Sequence, residues 1–187
     1  MLYNPQSTAI VVIDLQKGIA AFPTTPFSSK EVIENAAKLV AKFREQGSPV
    51  FLVHVGPHDG KDALHPVTDL PPQPAHEVPS DWTDFVSEMN LQPSDLVIRK
   101  RQWGAFHGTE LDLQLRRRGI DTIVLCGIAT SIGVETTARE AFQHGYNQIF
   151  VSDATTDLND ETHNTAFTHV FPKIGRIRTT EQVLDNE

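Results

Sequence analysis

Five short apolar runs, each four to six residues long, punctuate the chain at Ala9–Ile13, Val50–Val55, Asp95–Ile98, Thr122–Cys126 and Gln148–Val151. Their apolar character is continuous rather than alternating, the mark of strands covered on both faces. Arg176–Arg178 reads as a short sixth strand. Between the runs lie segments of helical periodicity. Lys30–Glu45 places Val32, Ala36, Leu39, Val40 and Phe43 on one face. Glu110–Arg118 follows Thr109, a candidate cap, and stops at Gly119. Gly133–His144 closes at Gly145, and Asp160–Val170 follows Asn159 as a second candidate cap. Strand–helix alternation from end to end predicts an α/β fold, an open parallel β-sheet flanked by helices on both faces. At 187 residues the whole chain, 1–187, is expected to form one domain.

Two stretches break the rhythm. Phe22–Phe27 and residues 57–79 read as loops, the second carrying prolines at 57, 66, 71, 72, 74 and 79. A connection of that length points to a functional or assembly role.

The charge balance narrows the choice of partner. Sixteen Lys and Arg against 24 Asp and Glu give a net charge of −8, which argues against nucleic acid or an anionic membrane. No run approaches the roughly 20 apolar residues of a membrane span. Met1–Ser7 lacks the charged-then-apolar plan of a secretory leader, so a cytoplasmic location is expected. The single cysteine, Cys126, rules out an internal disulfide and any multi-cysteine metal site; inside an apolar strand it reads as a small buried hydrophobe. The eight histidines show no metal-ligand spacing, and no metal or cofactor is expected.

In open parallel sheets, ligands bind at the carboxyl ends of the strands. Asp14 ends the first run, His54 lies near the end of the second, and Lys100 follows the third by two residues. Cys126–Gly127 ends the fourth and Asp153 the fifth. A carboxylate emerging from a buried strand needs a partner, and Lys100 is the evident cation if the first and third strands are neighbours. Residues Gly127–Gly133 match neither a dinucleotide fingerprint nor a P-loop. A helix starting near Gly133 offers backbone N–H groups to an anion.

Three motifs, in order, resemble those of the isochorismatase-like hydrolases, also called cysteine hydrolases. They are Val12-Ile13-Asp14-Leu15-Gln16, Lys100 followed by Trp103-Gly104-Ala105-Phe106, and Gly127-Ile128-Ala129-Thr130 leading to Gly133-Val134 and Thr137-Ala138. The resemblance covers nearly the whole chain and implies an Asp–Lys–Cys triad, of which Asp14 and Lys100 are present. Gly133 stands where the family carries its nucleophilic cysteine, the pattern of the true isochorismatases, which hydrolyse a vinyl ether without a covalent nucleophile. The resemblance also implies a cis Ile128–Ala129 peptide and a homo-oligomer. His54-Val55-Gly56-Pro57-His58 lacks the zinc pattern of the nicotinamidase branch, so no metal follows from it.

On this basis the chain is expected to be a small-molecule hydrolase, with Asp14 as general acid/base and Lys100 as electrostatic partner. Gly133, Ala129 and Thr130 would lie at the substrate, with backbone amides of Ala129 and Gly133 holding an oxyanion or carboxylate. Phe22, Trp103 and Phe106 are candidate pocket walls. Arg101, Lys61 and helix N-termini are the candidates for holding substrate carboxylates. Burial would raise the pKa of Asp14 and Lys100 would lower it, leaving the balance open. Two alternatives remain: an amide hydrolase using Ser131, and a non-catalytic small-molecule-binding or assembly protein.

Overall fold

The computed structural model describes residues 1–71 and 77–186. Each apolar run is a strand, and the amphipathic segments cross between them. In chain order these are β1 (Thr8–Ile13), a short α1 (Lys17–Ala20), α2 (Ser29–Glu45), β2 (Val50–Val55) and β3 (Leu96–Lys100). Then come α3 (Leu111–Arg117), β4 (Thr122–Ile128), α4 (Glu135–Gln143), β5 (Asn147–Thr156) and α5 (Asp160–Thr165). The chain ends with α6 (Phe171–Ile174), β6 (Arg176–Arg178) and α7 (Thr180–Asp185). The described strands form one six-stranded sheet in the order β3-β2-β1-β4-β5-β6, every pairing parallel. The predicted α/β architecture is the observed one.

The two faces of the sheet carry separate cores. Ile10, Val12, Val124 and Cys126 pack under α2, whose Val32, Ala36, Leu39, Val40 and Phe43 are all buried as their spacing predicts. Val11, Ile13, Phe51 and Leu125 face the opposite way, toward Leu111 and Leu115 of α3 and Ala138 and Ala141 of α4. Ser28 and Glu31 form a reciprocal capping box that fixes the start of α2. Asn159 caps α5 through its side chain, and the Thr109 hydroxyl accepts the amide of Leu111 at 3.1 Å.

Strand order changes one expectation. β1 and β3 are not neighbours, because β2 lies between them. Strand length changes another. β5 continues past Asp153 to Thr156, since Thr155 and Thr156 pair with Gly127 and Ile128 of β4 beyond a register shift. Asp153 therefore lies within the strand, where its carboxylate accepts the backbone amide and hydroxyl of Thr180, both at 2.7 Å, and docks α7. The polar residue that ends β5 is Asp157.

The helical run before α4 also starts earlier than expected. A single wide turn, Thr130–Val134, precedes α4, and Gly133 lies inside it rather than at its start. In the long loop, residues 57–71 run over the surface, while Pro72 and Pro74 fall outside the described residues. No described helix is long and apolar enough to cross a membrane.

Candidate active site

β1 is the strand from which the sheet is built in both directions, with β2 and β3 on one side and β4 to β6 on the other. Its carboxyl end is thus the topological switch point, where such sheets open a crevice. Asp14 stands there. Its backbone is left-handed, with φ at +52°, a conformation that Asp tolerates better than most side chains. Its amide donates to the carbonyl of Val53 at 2.9 Å, which ties the turn to β2.

Lys100 reaches Asp14 across the intervening strand. Adjacent strands lie about 4.8 Å apart, so a gap of two strands is spanned by the long lysine side chain from one side and the carboxylate from the other. Lys100 Nζ sits 2.8 Å from Asp14 Oδ2 and donates to the carbonyl of Trp103 at 2.7 Å. Both side chains are buried, at 2% and 7% exposure. Asp14 Oδ1 is also buried and has no protein hydrogen-bond partner among the described residues. Burial pushes the Asp14 carboxyl up to about 6, outweighing the attraction of Lys100 that pulls the other way.

Gly133 completes the group. A Cβ built on it would lie 3.1 Å from Asp14 Oδ2, 3.2 Å from Lys100 Nζ and 2.9 Å from Ile13 Cγ2. A side chain here would touch both members of the pair, and glycine leaves that place open. The Ile128–Ala129 peptide just before this turn is cis.

Asp14, Lys100 and Gly133 line a cavity of roughly 240 Å³ together with Ala129, Phe22 and Trp103. Ile19, Val55, Ile128, Ile132 and Leu158 supply most of the remaining wall, and Gln102 adds an amide. Phe22, Trp103 and Leu158 are exposed by 49%, 63% and 48%, unusually open for large apolar side chains.

Other sequence candidates lie elsewhere. Phe106 turns into the core beneath α3 and α4, its ring 5.1 Å from that of His144 and 5.7 Å from that of Tyr146. Thr130 is fully buried behind the wall, its hydroxyl paired with His163 Nδ1 at 2.8 Å. Ser131 is not among the cavity-lining residues, and its amide is held by Asp157 Oδ2 at 2.9 Å. Arg101 pairs with Asp62 at 3.0 Å, and neither it nor Lys61 lines the cavity. His54 Nδ1 bonds the carbonyl of Thr83 at 2.9 Å. Cys126 is fully buried, and burial pushes its thiol up to about 12.

Two residues have supporting roles that the sequence did not reveal: Gln16, the last residue of the first motif, and Asp157. Gln16 is a fully buried clamp: its side chain accepts the amide of Val55 at 2.8 Å and donates to the carbonyls of Val55 and Trp82 at 3.1 and 3.2 Å. It joins the end of β2 to the returning segment of the long loop. Asp157 accepts from Ser131, Leu158 and Thr162, and so anchors the turn that carries Gly133. Position at a strand end was the available signal for Asp157, hidden by the polar run Ser152–Thr156 that lengthens β5. Gly104 has a steric role, since a Cβ there would fall 2.2 Å from the Glu140 carboxylate, which accepts the Phe106 amide.

Comparison with known proteins points to one family. The isochorismatase domain model matches residues 8–182. The isochorismatase family protein YwoC of Bacillus subtilis (strain 168) is 56% identical over 181 residues, 96% of this chain and 94% of that protein. The isochorismatase family protein YecD of Escherichia coli O157:H7 is 50% identical and covers 97% of each chain. The solved structure of an isochorismatase family protein from Burkholderia thailandensis superposes with a TM-score of 0.92 at 46% identity. It covers 98% of this chain and 96% of its own.

Proposed function

This chain belongs to the isochorismatase family of hydrolases, and we propose that it hydrolyses a small molecule without a covalent enzyme intermediate, with Asp14 as general acid. One observation carries the proposal: Gly133 leaves the position facing both Asp14 and Lys100 without a nucleophilic side chain, while the Asp14 carboxyl is held near 6. A protonatable acid in a largely apolar cavity suits vinyl-ether hydrolysis. Asp14 delivers its proton to the terminal vinyl carbon, which leaves an oxocarbenium ion. Water adds to that cation and returns a proton to Asp14. The hemiketal then collapses to a carbonyl product and an alcohol. Lys100 holds Asp14 in place and stabilises the carboxylate formed after proton delivery.

Ser131 as an amide-cleaving nucleophile finds no support, because its residue does not line the cavity. A purely binding role is answered by the same assay as the acid role. Pyruvate release from 2-(cyclohexyloxy)acrylate and from isochorismate is followed with lactate dehydrogenase, for the natural protein and for Asp14→Asn. Release that falls by about 10²–10⁴-fold in the variant supports the acid role, in line with general-acid contributions elsewhere. No release from either substrate with the natural protein removes the vinyl-ether reading and leaves hydrolysis of another small molecule, an amide among them, or a binding role.

A further inference from the structure

The charge in and around the cavity describes its ligand. Lys100 is the one cationic side chain among the described lining residues, and its ammonium is already shared between Asp14 Oδ2 and the Trp103 carbonyl. With Asp14 ionised, the pair carries no net charge. Arg101, next in sequence, is paired with Asp62 and does not line the cavity. Gln102 adds an amide whose nitrogen is already given to the carbonyls of Gly104 and His107, and the rest of the described wall is mainly aliphatic and aromatic. At its rim, Phe22, Trp103 and Leu158 hold large apolar surfaces open to solvent, an arrangement that marks a site for an apolar ligand rather than idle surface.

We infer that the substrate is a small, largely apolar molecule with at most one negative charge, and that dicarboxylates such as isochorismate are excluded. One carboxylate can share the Lys100 ammonium. A second would lie in a largely apolar cavity with no further cation among the described lining residues to meet it, and burying an uncompensated charge is strongly unfavourable. The inference rests on reading this cavity as the substrate site of the proposed hydrolase.

Its test does not depend on turnover. Calorimetry on the intact protein compares three unreactive ligands built on one cyclohexane ring: cyclohexanecarboxamide, cyclohexanecarboxylate and cis-cyclohexane-1,3-dicarboxylate. The expected result is that the amide and the monoacid bind at least about ten-fold more tightly than the diacid. Leu158→Arg, which places a cation at the exposed rim, is expected to close that gap by raising affinity for the diacid. A diacid that binds the natural protein as tightly as the monoacid overturns the inference, and so does failure of all three to bind. A Leu158→Arg variant with an unchanged preference overturns it as well. Ordered binding without hydrolysis of 2-(cyclohexyloxy)acrylate would sink the catalytic reading and leave the ligand class standing.

Discussion

As the proposed general acid, Asp14 can deliver a proton only while it holds one. Its carboxyl titrates near 6 because burial outweighs the nearby Lys100 ammonium, so roughly a tenth of the enzyme is in the acid form at pH 7. kcat/KM is therefore expected to fall about ten-fold per pH unit above pH 6 and to level off below it. Measurement from pH 4.5 to 8.5 checks this, and a profile rising toward alkali would assign Asp14 the opposite role. The neighbouring glycine gives a second expectation. In Gly133→Ala the new methyl group meets Ile13, Asp14 and Lys100 at 2.9, 3.1 and 3.2 Å. Overpacking of about 1–3 kcal/mol and a displaced acid should lower kcat/KM by about ten-fold or more, read against a urea denaturation curve. At this scale the sequence was partly legible. The two charged residues and the glycine stood at strand and helix ends, but the outcome of burial against ion pairing depends on how deeply the pair lies, which only the packed structure decides.

Among the elements, the strands were readable because both faces of the sheet are buried and their side chains are uniformly apolar. Readability failed where that rule failed. The far half of β5, Ser152–Thr156, is polar in sequence, yet Ala154, Thr155 and Thr156 are buried against neighbouring structure. The last helix, α7, is only six residues long and shows no long apolar stripe, although Thr179 and Gln182 form its capping box. Gln16 stood in the first motif, but its clamping role was not legible there: a glutamine acquires that role only when β2 and the loop return to enclose it. Gln16→Ala leaves the half-buried Val55 amide without its side-chain partner and is expected to cost about 1–2 kcal/mol. Because Val55 lines the cavity, KM should rise in the same variant. Unchanged urea stability would show that the clamp contributes nothing.

For the whole molecule, alternation of strands and helices was enough to imply the layered sheet, whereas strand order was not written in any local pattern. Reading Lys100 as a partner of Asp14 assumed adjacent strands, and the pair forms instead across β2. Assembly is the remaining expectation at this scale. Leu64, Val67 and Leu70 on the long loop are exposed by 67%, 104% and 73%, consistent with a surface used between copies. Light scattering coupled to size exclusion is expected to report a homo-oligomer, and a monomer would refute it.

The glycine at 133 and the cysteine sealed inside β4 have a joint consequence for the conditions under which the protein can work. No sulfur-bearing residue is among the described lining residues of the cavity, and the single thiol is fully buried and protonated across the physiological range. Peroxide and alkylating agents, which silence enzymes that attack through a thiolate, find no exposed thiolate at the described cavity. Hydrolysis should survive iodoacetamide and millimolar hydrogen peroxide with its rate intact, so that turnover persists through an oxidative burst.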